Sequence, residues 1–454
     1  MVAPFHLGVL EQTAAAEAAA GSATAAATAP GQVMGAVDPP TEPVPVPRAQ
    51  HARPPRRRRR VAIALFAAVI LAAAAVALVR LRSPAPDAVV TSAVPATFHV
   101  ASGPVVLPWA TIGQSAIAVP ALGIDVTSGP ETAVPVASLT KMMTAYVILH
   151  DHPVHAGQNG PDIVMTQADV DDFENDTVQD EASVQVDVGE VLTERQLLEG
   201  LLVHSANNFA DTLARWDAGS IPTFVAEMNS TAAQIGMDHT HFVDPSGFDE
   251  GSQSTADDLL KVAALDMGDP TFVRIVRMSS VTLPIAGTVS TYTPLLGFQG
   301  VIGVKSGFTT AAGGCDVVAV ERTVHGRSTL VLAAVTGQEG PNVLVDAGFI
   351  ALNLANHASS SIALTPVVAS GEDVASVSAA GHRVAAVAVA PAAVLSWPGV
   401  TGHRALVDGP AIVAGARRGQ RIGSVMVMLG TQREEVPVVL RGDLPKPTLL
   451  QRLF

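Results

Sequence analysis

Large apolar side chains follow Pro135 at helical spacing. They recur three or four positions apart, as is typical of one buried face of an α-helix, at Leu139, Met142, Met143, Tyr146, Val147 and Leu149. The pattern predicts a helix that begins at or near Ser138. Because positions i and i+3 lie on one face of a helix, the Lys141 amine is expected beside the Ser138 hydroxyl.

A second stretch is apolar on every face. Residues 61–79 contain no charged side chain, and a helix of that length is roughly 28 Å long, close to the thickness of bilayer hydrocarbon. Arg56–Arg60 precede it, and Arg80 and Arg82 follow it. By the positive-inside rule, this arrangement predicts a single-pass membrane anchor with a cytoplasmic N-terminus. A cleaved signal peptide fits less well, because its apolar run is usually only about 7–15 residues.

Composition divides the chain further. Residues 1–60 are rich in Ala, Pro and Thr and are predicted to be a disordered tail that ends in basic residues. Residues 80–110, rich in Pro and Ala, are predicted to be a linker. Residues 111–357 contain both strand and helix patterns and are predicted to be one folded domain. In residues 358–454, short β-rich runs alternate with Gly and Pro turns, which predicts a separate all-β domain.

Individual elements can be placed within these domains. Strands are predicted at residues 114–119, 123–127, 303–309, 316–321, 328–335, 374–377, 384–389, 411–414, 424–428 and 436–440. Helices are predicted at residues 208–216, 224–235 and 346–355. Thr193 and Gln196 have the capping-box spacing and begin a further helix, which brings Ser205 and Asn207 to its C-terminal end. The acid-rich residues 166–190 are predicted to be a polar surface loop.

Charge and cysteine content exclude several functions. Residues 83–454 hold 18 basic and 37 acidic residues, and a net charge of −19 argues against nucleic acid or anionic lipid headgroups as partners. Cys315 is the single cysteine, so an intramolecular disulfide is excluded and a buried small side chain is expected. A metal trio of His150, His152 and His155 is the alternative to solvated loop histidines, but their spacing does not support it. No metal or cofactor is expected.

Three short motifs carry the candidate chemistry. In Ser138-Leu139-Thr140-Lys141, a desolvated lysine can lose its proton and then activate the serine as a nucleophile. Ser205-Ala206-Asn207 and Lys305-Ser306-Gly307 follow in that order. S-x-x-K, S-D-N and K-T-G form the motif set of penicillin-interacting serine enzymes.

With these motifs the sequence resembles the low-molecular-mass penicillin-binding proteins, the serine D-alanyl-D-alanine carboxypeptidases. Further blocks similar to that family lie at residues 198–208, 228–229, 236–240, 244–247 and 254–259. The resemblance extends from about Gln114 to Gly337, and less specifically into the C-terminal domain. It implies a mixed α/β catalytic domain of the penicillin-binding protein/β-lactamase type, in a protein of the bacterial cell membrane whose catalytic domain is extracytoplasmic. The implied substrate is a peptidoglycan stem peptide ending in D-Ala-D-Ala, and β-lactams are the implied acylating inhibitors.

The resemblance also implies catalytic roles for four residues. Ser138 attacks the carbonyl of the penultimate D-alanine, and Lys141 takes the serine proton. Ser205 relays a proton towards the leaving amine, and Asn207 orients Lys141 and the substrate amide.

The third motif is implied to bind the substrate. Lys305 and Ser306 receive the terminal carboxylate, for which a cation and a hydroxyl are suitable partners. The backbone N–H groups of Ser138 and of Phe308, the residue after Gly307, would form an oxyanion hole.

Three alternatives can be compared with this reading. A D,D-endopeptidase that cuts cross-links would use the same residues, and a catalytically silent cell-wall scaffold would keep the same fold. A class A β-lactamase would need a Glu followed four residues later by Asn, between the second and third motifs. Glu227 and Glu250 have Thr231 and Ser254 at that offset, so this alternative fails.

The sequence departs from the family pattern at a few positions. Ser306 stands where Thr is usual and keeps a hydroxyl, so little loss is expected. Asp244 replaces a more usual Asn, and Phe248 a common Leu; both could tune substrate choice. Residues 448–454 are too short for the family's C-terminal amphipathic anchor, a task that the N-terminal apolar helix would perform.

Overall fold

The computed structural model describes residues 56–84, 87–129, 132–155 and 157–453. Residues 1–55 of the predicted tail lie outside them, and its last five residues, Arg56–Arg60, are the start of a helix. The chain divides into two units, Met1–Ala74 and Ala75–Phe454, and the division falls inside helix α1 (Arg56–Arg82). Within the described residues one helix, Arg59–Arg82, is long and apolar enough to cross a membrane, with 24 residues and a mean hydropathy of 2.9.

The later helices and the strands are numbered in chain order. The helices are α2 (Thr140–Asp151), α3 (Gln167–Val178), α4 (Glu194–Val203), α5 (Asn207–Ala218), α6 (Ile221–Gln234), α7 (Ala256–Asp266), α8 (Pro270–Val276), α9 (Val343–Ser360) and α10 (Leu449–Leu453). The strands are β1 (Val89–Ser92), β2 (Thr97–His99), β3 (Gln114–Val119), β4 (Ile124–Thr127), β5 (Val134–Pro135), β6 (Asp162–Val164), β7 (Val191–Thr193), β8 (Gln253–Ser254), β9 (Ser280–Leu283), β10 (Gly287–Ser290), β11 (Val301–Thr309), β12 (Gly313–Val324), β13 (Arg327–Gln338), β14 (Ala363–Val368), β15 (Asp373–Ala379), β16 (His382–Ala388), β17 (Ala392–Ser396), β18 (Thr401–Asp408), β19 (Arg421–Leu429) and β20 (Gln432–Leu440).

A five-stranded antiparallel sheet, in the order β11-β12-β13-β3-β4, forms the centre of the second unit. Successive side chains of a strand point to opposite faces, and both faces of this sheet are covered. Val317 and Ala319 of β12 belong to the core shared with the helical cluster. Val318 and Val320 belong to the core that contains α9. The strands predicted at residues 316–321 and 328–335 are confirmed, and they lie within β12 and β13, which pair with each other as a hairpin.

Helix α2 is the centre of the helical cluster. Leu139, Met142 and Met143 are at most 1% exposed, so the helical spacing of the sequence correctly identified a buried face. A 3₁₀ turn, Ala137–Leu139, leads directly into α2 and carries Ser138. The prediction that Ser138 lies at a helix N-terminus is therefore confirmed. The predicted capping box of α4 is also confirmed, because the Thr193 side chain accepts a hydrogen bond from the backbone N–H of Gln196.

The acid-rich segment was wrongly predicted to be a surface loop throughout, because part of it forms helix α3. Thr166 and Asp169 make a capping box at the start of this helix. Arg215, from α5, pairs with Asp169 at 2.8 Å and also with Asp172. Asp169 and Asp172 therefore face a cation from a neighbouring helix, and Asp169 is buried against it.

A seven-stranded sheet, in the order β1-β15-β16-β20-β19-β18-β2, contains most of the C-terminal strands. Its two outermost strands, β1 and β2, come from residues 80–110. The prediction of a plain linker is wrong there: β15 and β18 would otherwise be sheet edges with unpaired backbone groups, and β1 and β2 supply their partners. Residues 411–414 form no strand but only a bridge between Val413 and Asp87.

The second hydrophobic core runs from the central sheet to the C-terminal sheet. It joins Val318 of β12 and Ala351 of α9 to Val377 of β15 and Val425 of β19 in one cluster of buried side chains. The boundary predicted at residues 357 and 358 falls inside α9, a helix that packs on β12 and β13.

Candidate active site

The first motif places an amine against a serine hydroxyl. Lys141 Nζ lies 3.0 Å from Ser138 Oγ. It also donates to Asn207 Oδ1 and to the backbone carbonyl oxygen of Ser246, the latter at 2.8 Å. The Lys141 side chain is fully buried, so these three groups are its polar surroundings.

Burial changes the acidity of Lys141. Removal of the ammonium from water lowers its pKa from the ordinary value of 10.5 to about 8. Four carboxylates oppose this effect by favouring the charged form: Asp244, Glu181, Asp176 and Asp211. Lys141 can therefore be deprotonated in a neutral to mildly alkaline solution, as a general base must be.

The second and third motifs meet at a lysine–serine contact. Lys305 Nζ donates to Ser205 Oγ at 3.0 Å and to the carbonyl oxygen of Ser306 at 2.7 Å. Ser205 has a φ of +65°, a left-handed conformation that is rare for serine and concentrated at functional sites. Burial, and then the charge of Lys141, hold the pKa of Lys305 well below its ordinary value, whereas Asp316 acts in the opposite direction.

Strand β11 approaches the serine through a glycine. A Cβ placed on Gly307 would lie 2.7 Å from the backbone nitrogen of Ser138, so a larger residue would not fit without movement. Phe308 follows, with its side chain about half exposed. Ser306 Oγ donates to the carbonyl oxygen of Tyr292 at 2.7 Å. The backbones that carry the Ser138 and Phe308 N–H groups therefore lie side by side.

All eight predicted site residues are brought together at the β11 edge of the central sheet. One of them, Asn207, lies in a different helix from the one predicted. Asn207 is the first residue of α5 and does not end α4. Its backbone N–H donates to the carbonyl oxygen of Ala182 at 2.8 Å, which ties the start of α5 to the segment after α3.

The motifs missed two contributors to the site. The first is the carbonyl of Ser246, whose loop is held by Asp244 through bonds from Ser246 Oγ at 2.6 Å and from the Phe248 N–H at 3.0 Å. In the sequence, this loop was indicated only by the family-like block at residues 244–247, because a backbone acceptor has no sequence signature of its own. The second is Glu181, which accepts a hydrogen bond from Asn207 Nδ2. Glu181 lies in the acid-rich segment, where nothing distinguished it from its neighbours.

One cluster among the described residues could hold a metal ion, and it lies at the far end of α2 from Ser138. Asp151, Asp217 and Glu227 bring carboxylate oxygens within 4.8 Å of one another. Exposed acidic groups are common without a cation. His152 Nε2 lies 2.8 Å from Asp217, and His150, in α2, pairs with Asp151. Two of the three histidines predicted to be solvated in a loop, His150 and His152, are thus hydrogen-bonded to carboxylates.

Comparison with known proteins identifies the family. The family model described as D-alanyl-D-alanine carboxypeptidase matches residues 124–339. The carboxypeptidase DacB2 of Mycobacterium tuberculosis is 35% identical over 210 residues, which are 45% of this chain and 67% of that protein. A D-alanyl-D-alanine endopeptidase of Escherichia coli is 28% identical over 214 residues, 45% of this chain and 64% of that protein.

Solved structures show the same fold. The crystal structure of penicillin binding protein 5 from Haemophilus influenzae superposes with a TM-score of 0.53 at 20% identity, covering 76% of this chain and 100% of that chain. The fold is thus that of the penicillin-binding proteins and β-lactamases, with a β-rich C-terminal region and one apolar N-terminal helix. With its serine, lysine and asparagine brought together as the motifs predicted, the chain belongs to the D-alanyl-D-alanine carboxypeptidase family of serine peptidases.

Proposed function

We propose that this protein is a membrane-anchored D,D-carboxypeptidase that removes the terminal D-alanine from peptidoglycan stem peptides through an acyl-enzyme on Ser138. The observation that carries the proposal is the pair formed by Ser138 and Lys141. A buried amine with a pKa of about 8 lies 3.0 Å from the hydroxyl it would deprotonate. A nucleophile with an adjacent base is the arrangement that acyl transfer requires.

Acylation uses the first motif. Lys141 takes the proton of Ser138 as Oγ attacks the carbonyl carbon of the penultimate D-alanine. The carbonyl oxygen becomes an oxyanion, and the N–H groups of Ser138 and Phe308 stabilise it. Gly307 allows the two backbones to approach closely enough for this purpose.

The leaving group is handled by the other two motifs. Lys305 and Ser306 bind the carboxylate of the terminal D-alanine. Ser205, held by Lys305, relays the proton that Lys141 took from Ser138 to the departing amine, and free D-alanine leaves as the peptide C–N bond breaks. Water then hydrolyses the ester and restores the Ser138 hydroxyl. Asn207 orients Lys141 and the substrate amide.

The remaining parts have proposed roles of their own. Helix α1 anchors the protein in the bacterial membrane with a cytoplasmic N-terminus; its length and apolar composition support this role. The catalytic domain outside the membrane extends from about residue 111 to the end of α9, and the strands that follow α9, together with β1 and β2, form the C-terminal β domain.

The first test is the intact mass of the full-length protein, purified in detergent and mixed with benzylpenicillin. A stable increase by one penicillin is expected, because Ser138 Oγ opens the β-lactam ring and retains the acyl group. Ser138→Ala should show no adduct. Absence of the adduct in folded wild-type protein would overturn the proposal in favour of the silent scaffold.

A second assay separates the two peptidase reactions. Free D-alanine is expected from a pentapeptide that ends in D-Ala-D-Ala, at a higher rate than cleavage of a cross-linked dimer of stem peptides. Faster cleavage of the dimer would replace the carboxypeptidase with an endopeptidase.

A further inference from the structure

Glu181 contacts the proposed catalytic machinery without belonging to any motif. Its Oε2 accepts a hydrogen bond from Asn207 Nδ2, while Asn207 Oδ1 accepts one from Lys141 Nζ. Glu181 is part of the segment that follows α3, and the backbone of Ala182 accepts the N–H of Asn207. The Asn207 side chain is therefore held between a carboxylate and an amine.

With these two partners, the Asn207 amide has one orientation in which both hydrogen bonds are made. An ionised carboxylate only accepts hydrogen bonds, so it requires the NH₂ end of the amide. The opposite end, Oδ1, must then face Lys141. Without Glu181 the amide could turn over and present an N–H group to Lys141.

The orientation matters because a neutral lysine has two N–H groups and one lone pair. In this site the two N–H groups have two acceptors, Asn207 Oδ1 and the Ser246 carbonyl oxygen at 2.8 Å. The lone pair is then left for the third neighbour, Ser138 Oγ, at 3.0 Å. An inverted Asn207 would donate to the lone pair and compete with the serine hydroxyl for it.

We infer that Glu181 is a positioning residue that fixes the Asn207 amide and thereby directs the lone pair of Lys141 at Ser138. The inference rests on the proposed acylation of Ser138. One N–H of Asn207 Nδ2 is used by Glu181, and the other remains for the substrate amide.

Glu181 also acts through its charge, in a direction that can be separated from its hydrogen bond. Its negative charge raises the pKa of Lys141, as do Asp244, Asp176 and Asp211, while burial lowers it. The lysine that faces Lys141 is Lys305, on β11, and burial and then the charge of Lys141 lower its own pKa. Removal of the Glu181 charge should therefore lower the pKa of Lys141 and move the acidic limb of the rate profile to lower pH.

Two substitutions divide these effects. Glu181→Gln removes the charge but keeps an acceptor oxygen for Asn207, whereas Glu181→Ala removes both. The rate constant of acylation by benzylpenicillin is measured from about pH 5 to 10 on the full-length protein. The matched control is Asp180→Asn, which removes an exposed neighbouring acid in a left-handed position that asparagine accepts.

Both Glu181 variants should shift the acidic limb of the acylation profile to lower pH, because both remove the charge. Only Glu181→Ala should also lower the acylation rate constant at the alkaline plateau, by about 10- to 100-fold, because only there is the lone pair of Lys141 misdirected. Asp180→Asn should change neither. The inference would be overturned if Glu181→Ala and the wild type had the same plateau rate constant of acylation. It would also be overturned if both Glu181 variants lost the same fraction of that rate constant. If the wild type is not acylated at all, the proposed function fails first. Unfolding temperatures of all variants identify any loss that comes from misfolding.

Discussion

At the scale of single residues, burial determines the chemistry of Lys141. An exposed lysine is protonated at neutral pH, and a general base has to be free of its proton. Here the fully buried amine has a pKa of about 8 and three polar contacts. Its proposed function as a base depends on the interior of the helical cluster as much as on the motif.

Lys141→Arg is expected to reduce acylation by at least about 100-fold, since an arginine stays protonated at every accessible pH and cannot take the serine proton. Wild-type acylation should rise with pH towards a plateau above about 8, because the proposed base is the neutral form of Lys141, whose pKa is about 8. Stopped-flow acylation by benzylpenicillin across the pH range measures both. A rate independent of pH in the wild type would contradict the assignment of Lys141 as the base.

Gly307→Ala is expected to slow acylation by about 100- to 1,000-fold, as loss of an oxyanion-hole donor does. The added Cβ would lie 2.7 Å from the Ser138 nitrogen and would have to push β11 away from it. Gly129→Ala is the matched control, because a Cβ there meets nothing within 4 Å. Rates are compared at one pH on variants whose unfolding temperatures have been measured. An unchanged rate in Gly307→Ala would exclude the close approach as a requirement.

The three motifs were enough to predict seven of the eight residues that gather at the site, because each motif is local and the order of the three is distinctive. The eighth, Phe308, came from the family resemblance. Ser246 and Glu181 could not be found in this way. Ser246 contributes a backbone oxygen, which every residue has. Glu181 is one acid among many, and its contact with Asn207 depends on a tertiary arrangement that spacing does not encode.

At the scale of elements, helix α3 shows how a partner changes the meaning of an acidic segment. Asp169 is 4% exposed and receives bonds from the Thr166 hydroxyl at 2.7 Å, the Thr212 hydroxyl at 2.7 Å and Arg215 at 2.8 Å. Burial alone would raise its pKa, but the hydrogen bonds from Thr166, Arg215 and Thr212 outweigh burial and lower it. The carboxylate thus connects the start of α3 to α5.

Asp169→Asn is expected to reduce the free energy of unfolding by about 1–3 kcal/mol at neutral pH, through loss of charge-assisted hydrogen bonds. Because the folded-state pKa of Asp169 is depressed, its contribution is present above the unfolded pKa and disappears as pH falls through the folded value. The difference from wild type should therefore narrow in acid. Denaturant unfolding at several pH values measures it, with the exposed Asp171→Asn as control. A difference that widens in acid would disprove this account.

Prediction of elements succeeded where the pattern was local. The helical spacing after Pro135 and the alternation in β12 and β13 both appear in the structure, since each depends on neighbours in sequence. The strand pattern failed at residues 411–414, where Val413 makes only a bridge. It missed β14, β17 and β18, whose strand conformation depends on distant partners.

At the scale of the whole second unit, the C-terminal sheet depends on residues far ahead of it in sequence. Phe98 of β2 lies on Gly402 of β18, where an added Cβ would meet its ring at 2.2 Å. The composition of residues 80–110 suggested a linker because Pro and Ala dominate it. Two segments of residues 80–110 form strands because the edges of β15 and β18 would otherwise be unpaired.

Phe98→Ala is expected to reduce the free energy of unfolding by about 1–3 kcal/mol, less than the cost of a fully buried phenylalanine, because the ring is half-buried. Acylation of Ser138 at 25 °C should be unchanged. Thermal unfolding and the benzylpenicillin adduct are measured together, with the exposed Thr97→Ala as control. Unaltered stability in Phe98→Ala would restore the view of residues 80–110 as a plain linker.

The pairing of β1 and β2 with late strands has a consequence for synthesis. A ribosome delivers the N-terminal strands first, yet His99 meets Thr401 across 302 residues, and Val89 meets Ser378. Until the last part of the chain has emerged, both early strands lack their partners and expose unpaired backbone groups. The central sheet has all five of its strands once β13 is made. Completion of the C-terminal sheet, with its high sequence separation, is therefore the late step in the maturation of the chain.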